Sequence, residues 1–274
     1  MSGDTLTLTP VSNFTVVLMT TSVEPLARNG KLAGKIAVVT AASRGIGRAI
    51  ALRLAADGAS VVVNWHSNSA AAEEVVAAIT EAGGTAIGVQ ADIGVPADVD
   101  RLFAVTLQEF GALDILVNNA GVVAVTKPTA EVSDEDIERT VAVNFTGTFL
   151  AMRHAARELR DGGRIINIST GYTRYPSPKV GIYAGTKAAV EQFAVSAAKE
   201  LGSRGITVNT VLPGITDTDG ISQDVRENLD GFIAMTPLGR LGQPRDIADI
   251  VAFLAGDDSR WVTGQSIVAA GGLV

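Results

Sequence analysis

Lys35-Ile36-Ala37-Val38-Val39-Thr40-Ala41-Ala42-Ser43-Arg44-Gly45-Ile46-Gly47 is an apolar run that gives way to small residues and glycines. Lys35–Thr40 predicts a strand buried on both faces, because its apolar residues run without polar alternation. Ala41–Gly47 predicts a tight turn, and Arg48–Ala56 has helical character. Gly45 and Gly47 allow close backbone approach, and the helix N-terminus supplies N–H donors and positive dipole. The loop therefore suits a bound diphosphate. It equally suits a plain strand–helix turn, and both readings stand at this point.

The pattern recurs down the chain. Strands are predicted at Ala59–Asn64, Thr85–Gln90, Asp114–Asn118, Arg164–Ile168, Thr207–Leu212 and Ile267–Ala269. Helices are predicted at Ala70–Glu81, Pro96–Phe110, from Asp134 with Ser133 as cap, at Phe145–Arg160, around Tyr183–Ala198 and at Asp246–Leu254. Strands alternating with helices imply an α/β fold of Rossmann type: a doubly wound, mostly parallel sheet of about seven strands with helices on both faces. Residues 31–274 form one such domain, since no linker or repeat divides them. Residues 1–30, rich in Thr and Ser with one short apolar run at Phe14–Met19, are set apart as an extension.

Composition narrows the function. The net charge of −7 argues against a general nucleic-acid surface, and no apolar run is long enough to span a membrane. With no cysteine and only His66 and His154, thiol chemistry is excluded, no metal site is expected, and a reducing, cytoplasmic setting fits. His154, among Met152, Ala155 and Ala156, reads as structural.

Ligands of such sheets lie beyond the carboxyl ends of the strands. That rule gathers Ala41–Gly47, Asp92, Asn118–Gly121, Ser169–Thr170 and Pro213–Thr218 on one rim. Tyr183 and Lys187 stand four apart and share a helix face. A neighbouring ammonium favours the phenolate, which would lower the Tyr183 pKa and suit it to proton transfer. An ordinary aromatic–Lys pair is the bland alternative. At the end of the second strand, Asn64-Trp65-His66-Ser67-Asn68 carries no acid to bind an adenosine ribose, and Arg44 is available for a 2′-phosphate. NADP(H) is thus preferred over NAD(H), which remains possible. Asp92 suits an adenine amine.

Taken together, TAASRGIG at Thr40–Gly47, NNAG at Asn118–Gly121, Asn144 in VNFTGT, the IINIST stretch, Tyr183–x3–Lys187 and Pro213–Gly214 resemble the short-chain dehydrogenase/reductase family, from about Leu32 to the C-terminus. The resemblance implies NAD(P)-dependent oxidoreduction in a dimer or tetramer; a homotetramer is expected. It implies Tyr183 as proton donor in carbonyl reduction, Lys187 as holder of the nicotinamide ribose, and Asn144 as support for a relay water. It places Ser43, Arg44, Gly45, Ile46, Gly47, Asn64, Ser67, Asp92, Ile93, Asn118, Ala120, Gly121, Pro213, Gly214, Ile215 and Thr218 at the cofactor with Tyr183 and Lys187.

The chain departs from the family pattern in two places. Ala41 stands where the family has a glycine, and Thr170 where it has a serine thirteen residues before the Tyr. Thr170 is the chosen substrate-oxygen ligand, with neighbouring Ser169 as the alternative. Gly171–Pro176 and Thr216–Met235 are expected to wall a mostly apolar pocket for a small or medium ketone or aldehyde. Arg174 there is either an anion anchor or a solvated charge. The rival functions are an NAD-linked alcohol dehydrogenase and a nucleotide-binding sensor without turnover.

Overall fold

The computed structural model describes residues 30–122, 126–221 and 226–274. The expected extension, apart from Gly30, lies outside the described residues. The strands are β1 (Ile36–Val39), β2 (Ser60–Trp65), β3 (Ala86–Gln90), β4 (Leu113–Asn118), β5 (Leu159–Ile168), β6 (Thr207–Pro213) and β7 (Ser266–Ala269). Among the described residues they form one seven-stranded sheet, ordered 3-2-1-4-5-6-7, with every pairing parallel. The helices are α1 (Gly45–Ala56), α2 (Ser69–Glu81), α3 (Pro96–Phe110), α4 (Asp134–Thr140), α5 (Thr148–Glu158), α6 (Gly181–Leu201), α7 (Leu229–Met235) and α8 (Pro244–Ala255).

Strand alternation divides the core in two. Ala37, Val39, Val61, Val63, Ile115 and Val117 face one way, onto Ile50 and Leu54 of α1, Val75 and Ile79 of α2, and Val251 of α8. Val38, Val62, Leu116 and Ile165 face the other way, onto Leu102 and Phe103 of α3, Ala151 and Ala155 of α5, and Ala194 and Ala198 of α6. Both faces of the central strands are covered, which is why their sequences are unbroken apolar runs. Burying each large aliphatic side chain contributes roughly 1.5–3 kcal/mol. The chain winds outward from β1 to β3, then crosses back to place β4 beside β1. That reversal opens a crevice above the carboxyl ends of β1 and β4, where a nucleotide can enter.

Local details follow the sequence where caps are written into it. The Ser133 hydroxyl accepts from the Asp136 N–H at 3.2 Å, with three acids in the first turn of α4. Pro96 starts α3. His154 stacks on Phe103 at 4.7 Å and bonds Glu158 and Asp100, so it is structural as expected.

Three features depart from the expectation. The helices expected from Asp134 and over Phe145–Arg160 run together, joined by a π-helical segment at Val141–Gly147. A β-carbon on Gly147 would lie 2.1 Å from the Ile93 carbonyl oxygen, so glycine lets this run press against the end of the sheet. The second half of that run stops at Glu158, and β5 begins at Leu159 rather than Arg164. Helix α7 lies inside the Thr216–Met235 segment, which composition left without structure; residues 222–225 of that segment are outside the described residues.

Candidate active site

The glycine loop is held by side chains buried beneath it. Ala41 has a left-handed backbone, φ 50°, the conformation that a glycine would adopt without strain. Its N–H donates to the Asn64 Oδ1 at 3.0 Å, and the Asn64 amide donates to the carbonyls of Val89 and Ala91. The Thr40 hydroxyl accepts from the N–H groups of Asn119 and Ala120, both at 2.9 Å. The Asn119 amide reaches back to the carbonyls of Thr40 and Ala41. A β-carbon on Gly47 would lie 2.3 Å from the Ala41 oxygen and 2.5 Å from the Asn119 Nδ2. Turn and helix are thus drawn together until only glycine fits.

A cavity of about 370 Å³ opens beside this loop. Its lining joins the rim expected from the sequence: Arg44–Gly47, Gly121, Thr170, Tyr183, Lys187, Pro213–Ile215 and Thr218 all border it. Arg44 is exposed and has no ion-pair partner among the described residues. A β-carbon on Gly121 would sit 3.1 Å from the Lys187 Nζ and 3.5 Å from the Asn144 Oδ1, so Gly121 leaves room above both polar groups. The loop after β6 leans over the first turn of α1, with the Thr218 methyl 3.4 Å from where a Gly45 β-carbon would be. A helix N-terminus, a cradle kept open at Gly47 and Gly121, and a buried Lys with donor capacity together fit a dinucleotide.

The residues expected to be catalytic gather at the other end of the cavity. Tyr183 lies in the first turn of α6, with Lys187 one turn on; they are 8% and 3% exposed. Thr170 borders the same cavity as Tyr183. Ser169, the alternative, also borders the cavity, but its hydroxyl donates to the Glu191 Oε1 at 2.9 Å. Adjacent strand residues point to opposite sides, and here that separates the two hydroxyls. Asn144 sits in the π-helical segment and is fully buried. Its Oδ1 accepts from the Val122 N–H at 2.7 Å and its Nδ2 donates to the Val122 carbonyl and the Thr186 hydroxyl. That pins the chain after Gly121 to the catalytic helix.

The expected electrostatics are corrected. Burial pushes the Tyr183 phenol up to about 12, with the Thr170 hydroxyl acting the other way. Burial brings Lys187 down to about 8. The Lys187 Nζ donates to the Ile168 carbonyl at 2.8 Å, and burial sets the direction of the phenol's shift.

Several expected cofactor residues have other jobs. Asn64 spends its amide bracing the glycine loop and is 1% exposed, so its side chain has no reach toward a ribose. Asp92 accepts from Arg139 and from the Gly94 N–H, each at 2.8 Å. Burial works to raise the Asp92 carboxyl, but these bonds outweigh it and hold it below its usual range. Its carboxylate is therefore already engaged where an adenine amine was expected. Ile93 is buried in the second core, and Asn118 is buried against Asn167 at 2.9 Å. Ala120 is buried beside Thr40, while Ser43 and Ser67 stand outside the cavity lining, Ser67 exposed beyond β2. Asn119 and Thr40 carry the loop-bracing work and were not singled out, because Asn and Thr end many strands. Glu191 was missed altogether. The available signal was its position, one turn beyond Lys187 on the same helix face.

Residues 39–274 match the family model described as enoyl-(acyl carrier protein) reductase. An oxidoreductase of Methylorubrum extorquens is 50% identical over 89% of this chain and 99% of its own length. The chain is a short-chain dehydrogenase/reductase. A hydroxynaphthalene reductase-like protein of Metarhizium brunneum is 45% identical, covering 89% of this chain and 96% of that protein. Among solved structures, the angucycline C-6 ketoreductase LanV with bound NADP superposes with a TM-score of 0.84 at 45% identity, over 90% of this chain and 98% of LanV. This short-chain dehydrogenase/reductase is therefore an oxidoreductase, and a sensor without turnover is set aside.

Proposed function

We propose that the protein is an NADPH-dependent ketoreductase that converts a ketone, or an aldehyde, to the alcohol. The observation that carries this reading is that two hydroxyls, Thr170 and Tyr183, line one cavity with Lys187 and the glycine loop. Thr170 and Tyr183 would bind the carbonyl oxygen as negative charge develops on it, and Tyr183 would release its proton to that oxygen. A phenol held near pKa 12 stays protonated at neutral pH, which suits the reducing direction. Lys187 would donate to the nicotinamide ribose, and Asn144 would hold the helical segment that borders the proton path. NADPH, when bound, supplies the hydride.

The free Arg44, with no acid at the end of β2, supports NADP over NAD. So does LanV, which was crystallised with NADP. The cavity wall carries Tyr172, Tyr175, Phe232 and Met235, apolar or aromatic faces suited to a flat ring system. The relatives named for hydroxynaphthalene and angucycline chemistry support an aryl ketone within the carbonyl class.

Two apolar patches support a homotetramer. Phe145 and Phe149, 39% and 49% exposed, pack edge-on against Phe193 of α6 at 4.9 and 5.0 Å. Val190 and Ala194, from the same apolar face of α6, pack inward on the sheet, so that helix divides its face between core and surface. Near the other edge of the sheet, Trp261 is 96% exposed and Val268 of β7 41%. Light scattering checks the assembly. A reducing cytoplasm that supplies NADPH is the setting this reading requires.

The deciding experiment measures NADPH and NADH consumption side by side against ketones, aldehydes and quinones, with fused-ring aryl ketones among them. Preferential NADPH turnover of a ketone is expected. A preference for NADH with alcohols in the reverse direction would replace the reading with the NAD-linked dehydrogenase.

A further inference from the structure

Helix α6 presents Tyr183, Lys187 and Glu191 at four-residue intervals on one buried face. The reaction uses the first two. Glu191 is 4% exposed, and a buried carboxylate is costly unless its oxygens are satisfied. Both are. Oε1 accepts from the Ser169 hydroxyl at 2.9 Å, and Oε2 accepts from the Arg174 Nη2 at 2.6 Å. Ser169 is the residue before Thr170, and Arg174 closes the short 3-10 turn Gly171–Thr173 that follows it. One carboxylate therefore grips the chain on both sides of the residue placed at the substrate oxygen.

Gly171 packs against the Pro213 carbonyl, and the segment's other polar ties are short-range. Its own bonds are local: the Tyr172 N–H donates to the Thr170 Oγ1 at 3.3 Å, the Thr173 N–H to the Thr170 carbonyl at 3.3 Å, and the N–H groups of Arg174 and Tyr175 to the Gly171 carbonyl at 2.9 Å. Among the described residues, Arg174–Glu191 is the one ion pair tying residues 171–176 to another element. Tyr172 and Tyr175, on either side of Arg174, line the cavity, whereas Arg174 and Glu191 do not. The Arg174 guanidinium stays about half exposed, its side chain 46% accessible, yet it is paired rather than free. It is turned away from the cavity onto a buried acid.

We infer that Glu191 and Arg174 are positioning residues that set the orientation of Thr170, Tyr172 and Tyr175, and thereby which ketones bind and which face of the carbonyl is reduced. The kinetic part of this inference rests on the ketoreductase reading; its structural part does not. The role is geometric, since the lowered pKa of Lys187 has burial as its cause. Removing the pair would leave chemistry and cofactor in place while loosening one wall of the substrate site.

The test uses the full-length protein and the variants Arg174→Met, Arg174→Lys, Glu191→Gln and the Arg174→Met/Glu191→Gln double. Hydrogen exchange over 170–176 is read first, because it needs no substrate. Arg174→Met is expected to speed exchange there about tenfold, the equivalent of one charge-assisted hydrogen bond, with β6 and the middle of α6 unchanged. Arg174→Lys restores most of the protection, and the double variant is no worse than Arg174→Met, since both remove one contact. Then, with NADPH and the prochiral ketone 1-tetralone, Arg174→Met is expected to raise KM about tenfold and to erode the enantiomeric ratio, with kcat within about threefold and NADPH Kd unchanged. Unchanged exchange at 170–176 overturns the inference whatever the kinetics. Faster exchange with KM and enantiomeric ratio unaltered also overturns it, leaving the pair a stability element. If the wild type reduces no ketone, the function proposed above fails by that result, and the exchange measurement still decides whether the pair orders the wall.

Discussion

The two ends of the cavity are built in different ways. At the cofactor end, backbone is locked to backbone by small polar side chains sunk beneath it: Asn64 under Ala41, Thr40 and Asn119 across the β1–β4 seam. Glycine is needed there because atoms are already in contact. At the substrate end the wall is a short turn, tied to α6 by the Arg174–Glu191 pair, and a long segment after β6; together they carry Tyr172, Tyr175, Phe232 and Met235. The first end suits a ligand of fixed shape and admits little change. The second end can change its side chains without disturbing the sheet, which is how one fold takes different carbonyl compounds.

The comparison can be broken first where both ends meet. Tyr183→Phe should lower kcat by about 10³-fold, within the 10²–10⁴ ascribed to a positioned general acid, with NADPH binding unchanged by fluorescence titration. Loss of NADPH affinity in that variant would mean that the phenol belongs to the cofactor end. Gly47→Ala should be the most damaging single change at the cofactor end. The added methyl must displace backbone, costing about 1–3 kcal/mol of stability by overpacking and at least a tenfold rise in NADPH Kd. A Gly47→Ala enzyme with normal Tm and Kd would show that the tight packing is not needed.

Arg44→Ala should weaken NADPH by about tenfold or more, as expected for a lost charge-assisted phosphate contact, and leave NADH nearly unaffected. Equal losses for the two would remove the 2′-phosphate from Arg44. In the pH profile of ketone reduction, kcat/KM for the free enzyme should fall about tenfold per unit above the Lys187 value of about 8, well before Tyr183 ionises near 12. Stability carries the opposite sign over part of that range. The unfolded Lys binds protons up to about 10.5, so folded Lys187, at about 8, makes this group's contribution rise with pH between those values. Tyr183, raised from 10.0 to about 12, makes its contribution fall between 10 and 12. A plateau in activity to pH 10 would show that Lys187 is not the titrating group. The smallest effect expected is Ala41→Gly, which relieves a left-handed alanine and should stabilise the protein by about 1 kcal/mol, read as a rise in Tm.

Reading the chain without coordinates placed the tyrosine and lysine on one helix face, both glycines at the turn, and Ser169 and Thr170 on the rim. Those inferences need only helical and strand periods, which are local. The internal partners of Asn64, Asp92 and Asn118 were not legible for the complementary reason. Each stands at the end of a strand, and each side chain has a partner 23 to 49 residues away that the local pattern does not reveal.

What the sequence by itself determined is the α/β alternation, the parallel sheet and the rim that gathers the chemistry, because burial on both strand faces and glycine at a turn are written residue by residue. The tertiary structure alone decided the acid–base character of the site and the anchoring of its substrate wall. A pKa is set by how much water the fold removes, and burial moved Tyr183 against the direction its neighbour implied. The Glu191–Arg174 pair, seventeen residues apart in sequence, exists only because α6 returns beneath the end of β5.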